Sequence, residues 1–234
     1  MGKNNLVVTF VFDRRTRAIT VRRFFCRIDK PIKKVFNYAI DKIDSVHDSD
    51  IELANIPVFE SNDTHTRGAL NYYPNTGIPY KLEISRNNNE KEITILHEIG
   101  HLIDLLCVGI PGKFESNEPD GIFSKLLIIT SQTAEIRRII STLASGHTKV
   151  NNKLLPLSYR TRIALNYLLE PHEIVARTYA QYISGKSGSQ KLLKMIRDRN
   201  NSGIFGGQWS SASFQPIAEE WDNILNAIGW QTKK

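Results

Sequence analysis

The stretch "TILHEIGHLIDLL", Thr94 to Leu106, sets two histidines and a glutamate inside an apolar run. Thr94, Ile95, Leu96, Ile99, Gly100, Leu102 and Ile103 carry no charge, so the polar residues are embedded in a buried helix, expected over about 89–107. A buried polar group without a partner costs several kcal/mol. The three residues therefore form either a satisfied structural cluster or a metal site. In a helix, residues four apart stack on one face, so His97 and His101 can offer two imidazole nitrogens to one ion. Glu98 lies beside them and can reach a water in an open coordination position. A metal lowers the pKa of that water, and the glutamate takes its proton as it attacks a carbonyl. Gly100 costs about 1 kcal/mol in mid-helix, which points to a neighbour packed closely there.

Such a site needs a third ligand. A histidine six residues past His101 is excluded, because Asp104 and Cys107 stand where that extension needs glycine and histidine. The remaining common solution is a glutamate from a later helix. "LLEPHEIVARTYAQYIS" (Leu168–Ser184) offers Glu173, with Glu170 and His172 as rivals. Pro171 suits a helix start, and the helix dipole favours a carboxylate in the first turn, where Glu173 falls. Arg177 lies one turn on and can brace that carboxylate. Asp104, one turn past His101, can orient a ligand or brace Arg177; a solvent-side position is equally open. Tyr179, Tyr182, His172 and His147 are the possible donors to a tetrahedral oxyanion. Trp209 follows "SGIFGGQ" and either overhangs a cleft or anchors the core. Cys107 reads as a small buried apolar residue.

Outward from the motif the pattern changes with position. "NLVVTFVFD" (Asn5–Asp13) and "AITVRRFFCRID" (Ala18–Asp29) read as a hairpin. Pro31–Val46 has helical spacing, Ile56–Glu60 reads as a short strand, and Gly68–Pro74 with Tyr80–Ser85 reads as a second hairpin. Asn87 or Asn89 is expected to cap the motif helix, with Glu90 or Glu92 as partner. After a loop over Gly109–Gly121, helices are expected at Ile122–Ala144, Ser158–Leu169, Pro171–Ser184, Gln190–Arg199 and Phe214–Ile228. Strands first and helices after give an α+β class, in one domain over 1–234 with a β-rich part to residue 86 and a helical part from 87.

The chain has 234 residues and a net charge of +7. Residues 1–40 carry ten Lys and Arg against two Asp, so the basic character lies at one end. A basic face can steer toward nucleic acid or acidic protein, or can be an ordinary solvated sheet face. No run approaches the roughly 20 apolar residues of a membrane span. Two cysteines give no disulfide framework, and the first residues lack a secretory pattern, so a reducing, cytoplasmic setting without membrane contact is expected.

"EITILHEIGHLID" with the later "EIVARTYAQYI" resembles the glutamate-zincins, which pair a helix-borne H-E-x-x-H with a downstream E-x-x-A. The form E-x-x-A-R-x-Y-x-x-Y, followed by "QWSSASFQPIAEEWDNIL", is similar to zincin-like metallopeptidase domains of phage head-morphogenesis proteins and mobile-element polyproteins. A second resemblance is to repressor-cleaving peptidases of mobile elements, which usually have a shorter gap between the two helices. The resemblance implies a zincin-like fold, a zinc ion held by His97, His101 and Glu173, and Glu98 as general base. It also implies a protein or peptide substrate added as a strand to the sheet edge before the motif helix, where "YKLEIS" is expected. The rival from another class is a non-catalytic module with a structural zinc site, or one that binds nucleic acid through the basic end. Glu98 speaks against a purely structural site, which has no need of a carboxylate beside the water position.

Overall fold

The computed structural model describes residues 25–48, 56–64, 66–73, 76–107, 113–150, 153–201, 207–230 and 232. The expected hairpin over 5–29, and most of the basic end, lie outside these residues apart from Phe25–Ile28. Among the described residues the chain is α+β, with eight α-helices and a small mixed sheet.

Strand β1 (Phe25–Ile28) leads into helix α1 (Lys30–Asp44) and on to β2 (Ile56–Ser61), which pairs with β1 in parallel. A helix between parallel strands is the usual crossover. Ile32, Phe36, Ala39, Ile40 and Ile43 form the buried stripe of α1, at the three- and four-residue spacing that makes one helix face. The sheet continues with β3 (Gly68–Tyr72) and β4 (Pro79–Ser85), in the spatial order β1-β2-β4-β3. β2 and β4 are parallel, and β3 runs antiparallel to β4.

That order corrects one expectation. "YKLEIS" is not the edge; β4 is paired on both sides, and among the described residues β3 is the edge beside the motif helix. Burial agrees, since Leu82, Ile84 and Ser85 of β4 are buried while β3 is half-buried or exposed throughout.

The motif helix α2 spans Lys91–Leu102, and the chain widens to a π-helical turn over Ile103–Cys107. Its start is not capped by Asn87 or Asn89. Glu90 is the N-cap residue, and Asn88 supports it by accepting from the Glu90 N–H at 2.8 Å and donating to the Thr94 hydroxyl at 2.8 Å. The expected helix over Ile122–Ala144 divides into α3 (Ser124–Ser131) and α4 (Ala134–Ser145), because the Thr133 hydroxyl accepts from Ile136 N and caps the second piece. A hairpin of β5 (His147–Val150) and β6 (Lys153–Pro156) follows, unanticipated from the sequence. Helices α5 (Tyr159–Tyr167), α6 (Pro171–Lys186), α7 (Gln190–Asn201) and α8 (Ser211–Ala227) complete the chain. The last begins three residues before the expected Phe214, since Ser210 caps it. No described helix is long and apolar enough to cross a membrane.

α2 and α6 are both enclosed on almost every side. A Cβ on Gly100 would lie 2.7 Å from the Ala176 Cα, a distance real Cβ contacts do not show. The two helix backbones therefore meet at this point, and only glycine on α2 permits it. Gly100→Ala is expected to force the helices apart at a cost of about 1–3 kcal/mol, lowering the melting temperature by roughly 2–4 °C per kcal/mol. Gly185→Ala, where a Cβ meets nothing within 4 Å, should hold or gain up to about 1 kcal/mol. Thermal denaturation of the two variants side by side checks the contrast; equal melting temperatures would contradict it.

Candidate metal centre

The α2–α6 contact sets the positions of three ligand atoms. His97 and His101 leave α2 one turn apart, and their Nε2 atoms are 3.1 Å from each other. Glu173, in the first turn of α6, places Oε1 3.1 Å from His101 Nε2 and Oε2 3.4 Å from His97 Nε2. One ligand atom from each residue falls within 4.8 Å of the others, so the group can hold a metal ion. Bonds of about 2.0–2.1 Å in a tetrahedron set ligand atoms about 3.3 Å apart, so the spacing found here fits a single small divalent ion. The donor set, two imidazoles and a carboxylate, suits zinc and also cobalt, manganese or iron.

Burial of these groups shapes their charges. Glu173 is only 2% exposed. Burial opposes its ionisation, yet hydrogen bonds and charge from His101 and His97 outweigh that and hold the carboxyl well below the usual range. Glu98 is driven the other way. Removal from water pushes it up to about 7, against the lowering effect of His101 and with a further push from the Glu173 charge. Its Oε2 accepts from the Leu70 N–H of the edge strand at 2.9 Å. Gly68 supports the same arrangement, because a Cβ there would stand 2.5 Å from Thr94 Cγ2 and 3.2 Å from Glu98 Oε1.

Gly68, Thr94, His97, Glu98 and Glu173 line a cleft of about 500 Å³ with Tyr167, Leu168, Arg67 and Arg199 on its walls. No protein-family model, curated protein or solved structure matches this chain. What the centre can do must be read from its own geometry.

The rivals for third ligand fall to either side. Glu170 is the N-cap residue of α6, half-exposed, with its carboxylate 3.2 Å from His172 Nε2. His172 stacks on Phe114 at 4.8 Å between ring centres and stands 5.5 Å from the His101 ring. Burial, and then the charge of His101, keep His172 below its ordinary pKa.

Four other expectations need correction. Arg177 does not brace the Glu173 carboxylate. Its guanidinium donates to three carbonyl oxygens, those of Glu173 at 3.3 Å, Gly207 at 2.9 Å and Leu168, and it packs over the Trp209 ring. It ties together the backbone around the cleft instead. Asp104 neither braces Arg177 nor lies on the solvent side. It is fully buried, and its two oxygens accept from the Ser116 N–H at 2.8 Å and the Ser116 hydroxyl at 2.5 Å. Burial pushes it up to about 6 despite those bonds. Tyr179 shares a hydrogen bond with His47 Nε2 in the core. Tyr182 donates to Asp222 Oδ1 at 2.7 Å. Neither tyrosine lines the cleft.

His147 lies on the exposed β5–β6 hairpin, where its Nδ1 is bonded to the Ser145 carbonyl. Trp209 is a core anchor. Its indole N–H donates to Thr133, and its main chain pairs with both ends of the Gln181 amide.

The tyrosine that does reach the centre is Tyr167. It closes α5 and donates to Glu173 Oε1. Burial and the adjoining Glu173 raise its pKa and keep it protonated. Its signal in the sequence was weak, a tyrosine six residues before Glu173 at the end of the preceding helix. Gly68 gave a better one, a glycine opening a strand, which marks close backbone approach.

Elemental analysis is expected to find one divalent ion per chain in the wild type and in Glu98→Gln, and to find it lost in Glu173→Ala and His101→Ala. Loss from Glu98→Gln, or retention by Glu173→Ala, would contradict the three-ligand set. Arg177→Leu should cost about 2–4 kcal/mol in urea unfolding, because it leaves buried carbonyls without donors. A change below about 0.5 kcal/mol, typical of an unconstrained surface site, would show that those bonds do not matter.

Proposed function

We propose that this chain is a zinc-dependent peptidase of the glutamate-ligand, zincin-like type. It would act on a protein partner in a phage or mobile-element setting. One observation carries the reading. The H-E-x-x-H helix and the first turn of α6 bring two imidazoles and a carboxylate to the spacing of a single ion, with Glu98 beside them on an open cleft. The setting is supported by the motif resemblance alone.

When bound, the ion would act as a Lewis acid, acidifying a water and polarising the substrate carbonyl. His97, His101 and Glu173 would hold it. The remaining roles belong to the chain's own groups. Glu98 takes the proton from the attacking water and passes it to the departing amine. Its Oε2 is tied to the edge strand by the Leu70 N–H, and the side chain lines the cleft. Tyr167 replaces Tyr179 and Tyr182 as donor to the oxyanion, since its hydroxyl lies in the cleft beside Glu173 while theirs are bonded to His47 and Asp222. The edge strand β3 offers its outer backbone groups to an extended peptide, with the Leu70 N–H at the level of Glu98. Main-chain pairing of this kind demands little of the substrate's sequence. A non-catalytic metal module would not need Glu98 and Tyr167 at these places.

Incubation of the zinc-loaded protein with a peptide pool, followed by mass spectrometry, tests the proposal. Hydrolysis is expected, falling about 10²- to 10⁴-fold in Glu98→Gln with zinc content unchanged, and about 10²-fold in Tyr167→Phe. Equal cleavage by wild type and Glu98→Gln would assign the activity to a contaminant and defeat the reading.

A further inference from the structure

We infer that the cleft selects peptides carrying an acidic side chain, which Arg67 receives with Arg199 behind it. This rests on the peptidase reading above, and concerns what that site prefers. Arg67 immediately precedes the edge strand β3, and Arg199 lies near the end of α7. Both line the cleft that holds His97 and Glu98. Both guanidiniums donate to the same oxygen, Oε2 of Glu90, Arg199 through Nε at 3.0 Å and Arg67 through Nη1. One carboxylate thus faces two guanidiniums.

The two arginines are held differently. The Arg199 side chain is 15% exposed, whereas that of Arg67 is 66% exposed. Arg199 is set in the wall, while Arg67 keeps most of its surface toward solvent and has further N–H groups to offer. A guanidinium presents five donors in a planar fork suited to carboxylates. The third arginine of the cleft, Arg177, is occupied by backbone carbonyls. Among the described residues lining the cleft, the carboxylates are Glu98 and Glu173, both at the metal centre. The cleft therefore has an anionic end, where an ion would be held, and a cationic end at Arg67 and Arg199.

The edge strand joins the two ends. A peptide paired with β3 passes Leu70, whose N–H meets Glu98, then Gly68, then Arg67. Three residues of extended chain span about 10 Å. The side chain that meets Arg67 thus belongs to a residue about three positions from the bond that reacts. A lysine or arginine there would face two guanidiniums. A glutamate or aspartate would meet the N–H groups that Arg67 turns to solvent.

The test uses one pool of peptides of mixed sequence and two readouts. In the first, zinc-loaded wild type digests the pool and the cut sites are mapped. In the second, the zinc-loaded Glu98→Gln protein captures peptides from the same pool. Asp and Glu should be enriched about fivefold at one position two to four residues from the cut, the scale of an exposed ion pair. Arg67→Gln should abolish the bias, and Arg67→Glu should turn it toward Lys and Arg. Both variants alter an exposed side chain, and a melting curve checks that they are folded. Cleavage without an acidic bias, or with a bias unchanged in Arg67→Glu, would overturn the inference and leave the peptidase reading standing. Acid-biased capture that Arg67→Glu abolishes, with no cleavage by wild type, would uphold the acidic site and defeat the peptidase. Neither cleavage nor bias would defeat both.

Discussion

The contact between Gly100 and Ala176 governs the rest of the molecule. Two helices that carry the ligand residues touch backbone to backbone at one point, with no side chain between them. His101 follows Gly100 directly, and Glu173 lies one helical turn before Ala176. Any widening at the contact would carry Glu173 away from the imidazoles. Interiors are close-packed and do not stretch to accommodate a methyl group. The glycine and the alanine of the two motifs are thus geometric requirements of the centre, as much as the residues that would touch an ion.

Around that contact the chain separates two carboxylates that stand close together. Glu173 faces both imidazoles and is held ionised. Glu98 is enclosed by the edge strand and α2, accepts from the Leu70 N–H, and keeps its proton more readily. Two acids of one kind are driven to opposite behaviour by what surrounds them, a pattern that assigns different tasks to neighbouring groups in many hydrolytic sites. Arg177 and Asp104 look from the sequence like charges meant for the centre, yet each is turned to backbone. Arg177 holds Leu168 and Gly207, and Asp104 holds Ser116. Arg177 thereby fixes two stretches of the cleft wall, and Asp104 fixes the turn at Ser116, away from it.

What the sequence revealed depended on how local the cause was. The helix of His97 and His101 was legible because apolar residues surround the motif, and α6 because Pro171 marks its start. Glu173 stood out among its rivals by its place in the first turn. The edge strand was misassigned, since "GALNY" and "YKLEIS" both look like strands and only long-range pairing decides which lies outside. The roles of Tyr179 and Tyr182 were unreadable for another reason. α6 is buried on nearly every side, so periodicity names no face toward the cleft. Asn88 was passed over for its neighbours because three asparagines in a row offer no local distinction. Tyr167 required knowledge of how α5 turns into α6.

The ligands are also far apart along the chain. Glu173 comes 72 residues after His101, since 173 − 101 = 72. During synthesis the motif helix is made long before its third ligand exists, and α3, α4, the β5–β6 hairpin and α5 must be laid down between them. Two histidines on an isolated helix bind an ion weakly, and the carboxylate arrives only when α6 docks at Gly100. Binding energy that depends on docking is folding energy. A newly made chain therefore has no three-residue site until α6 closes on α2, and an ion that bound there would add its binding energy to that docking.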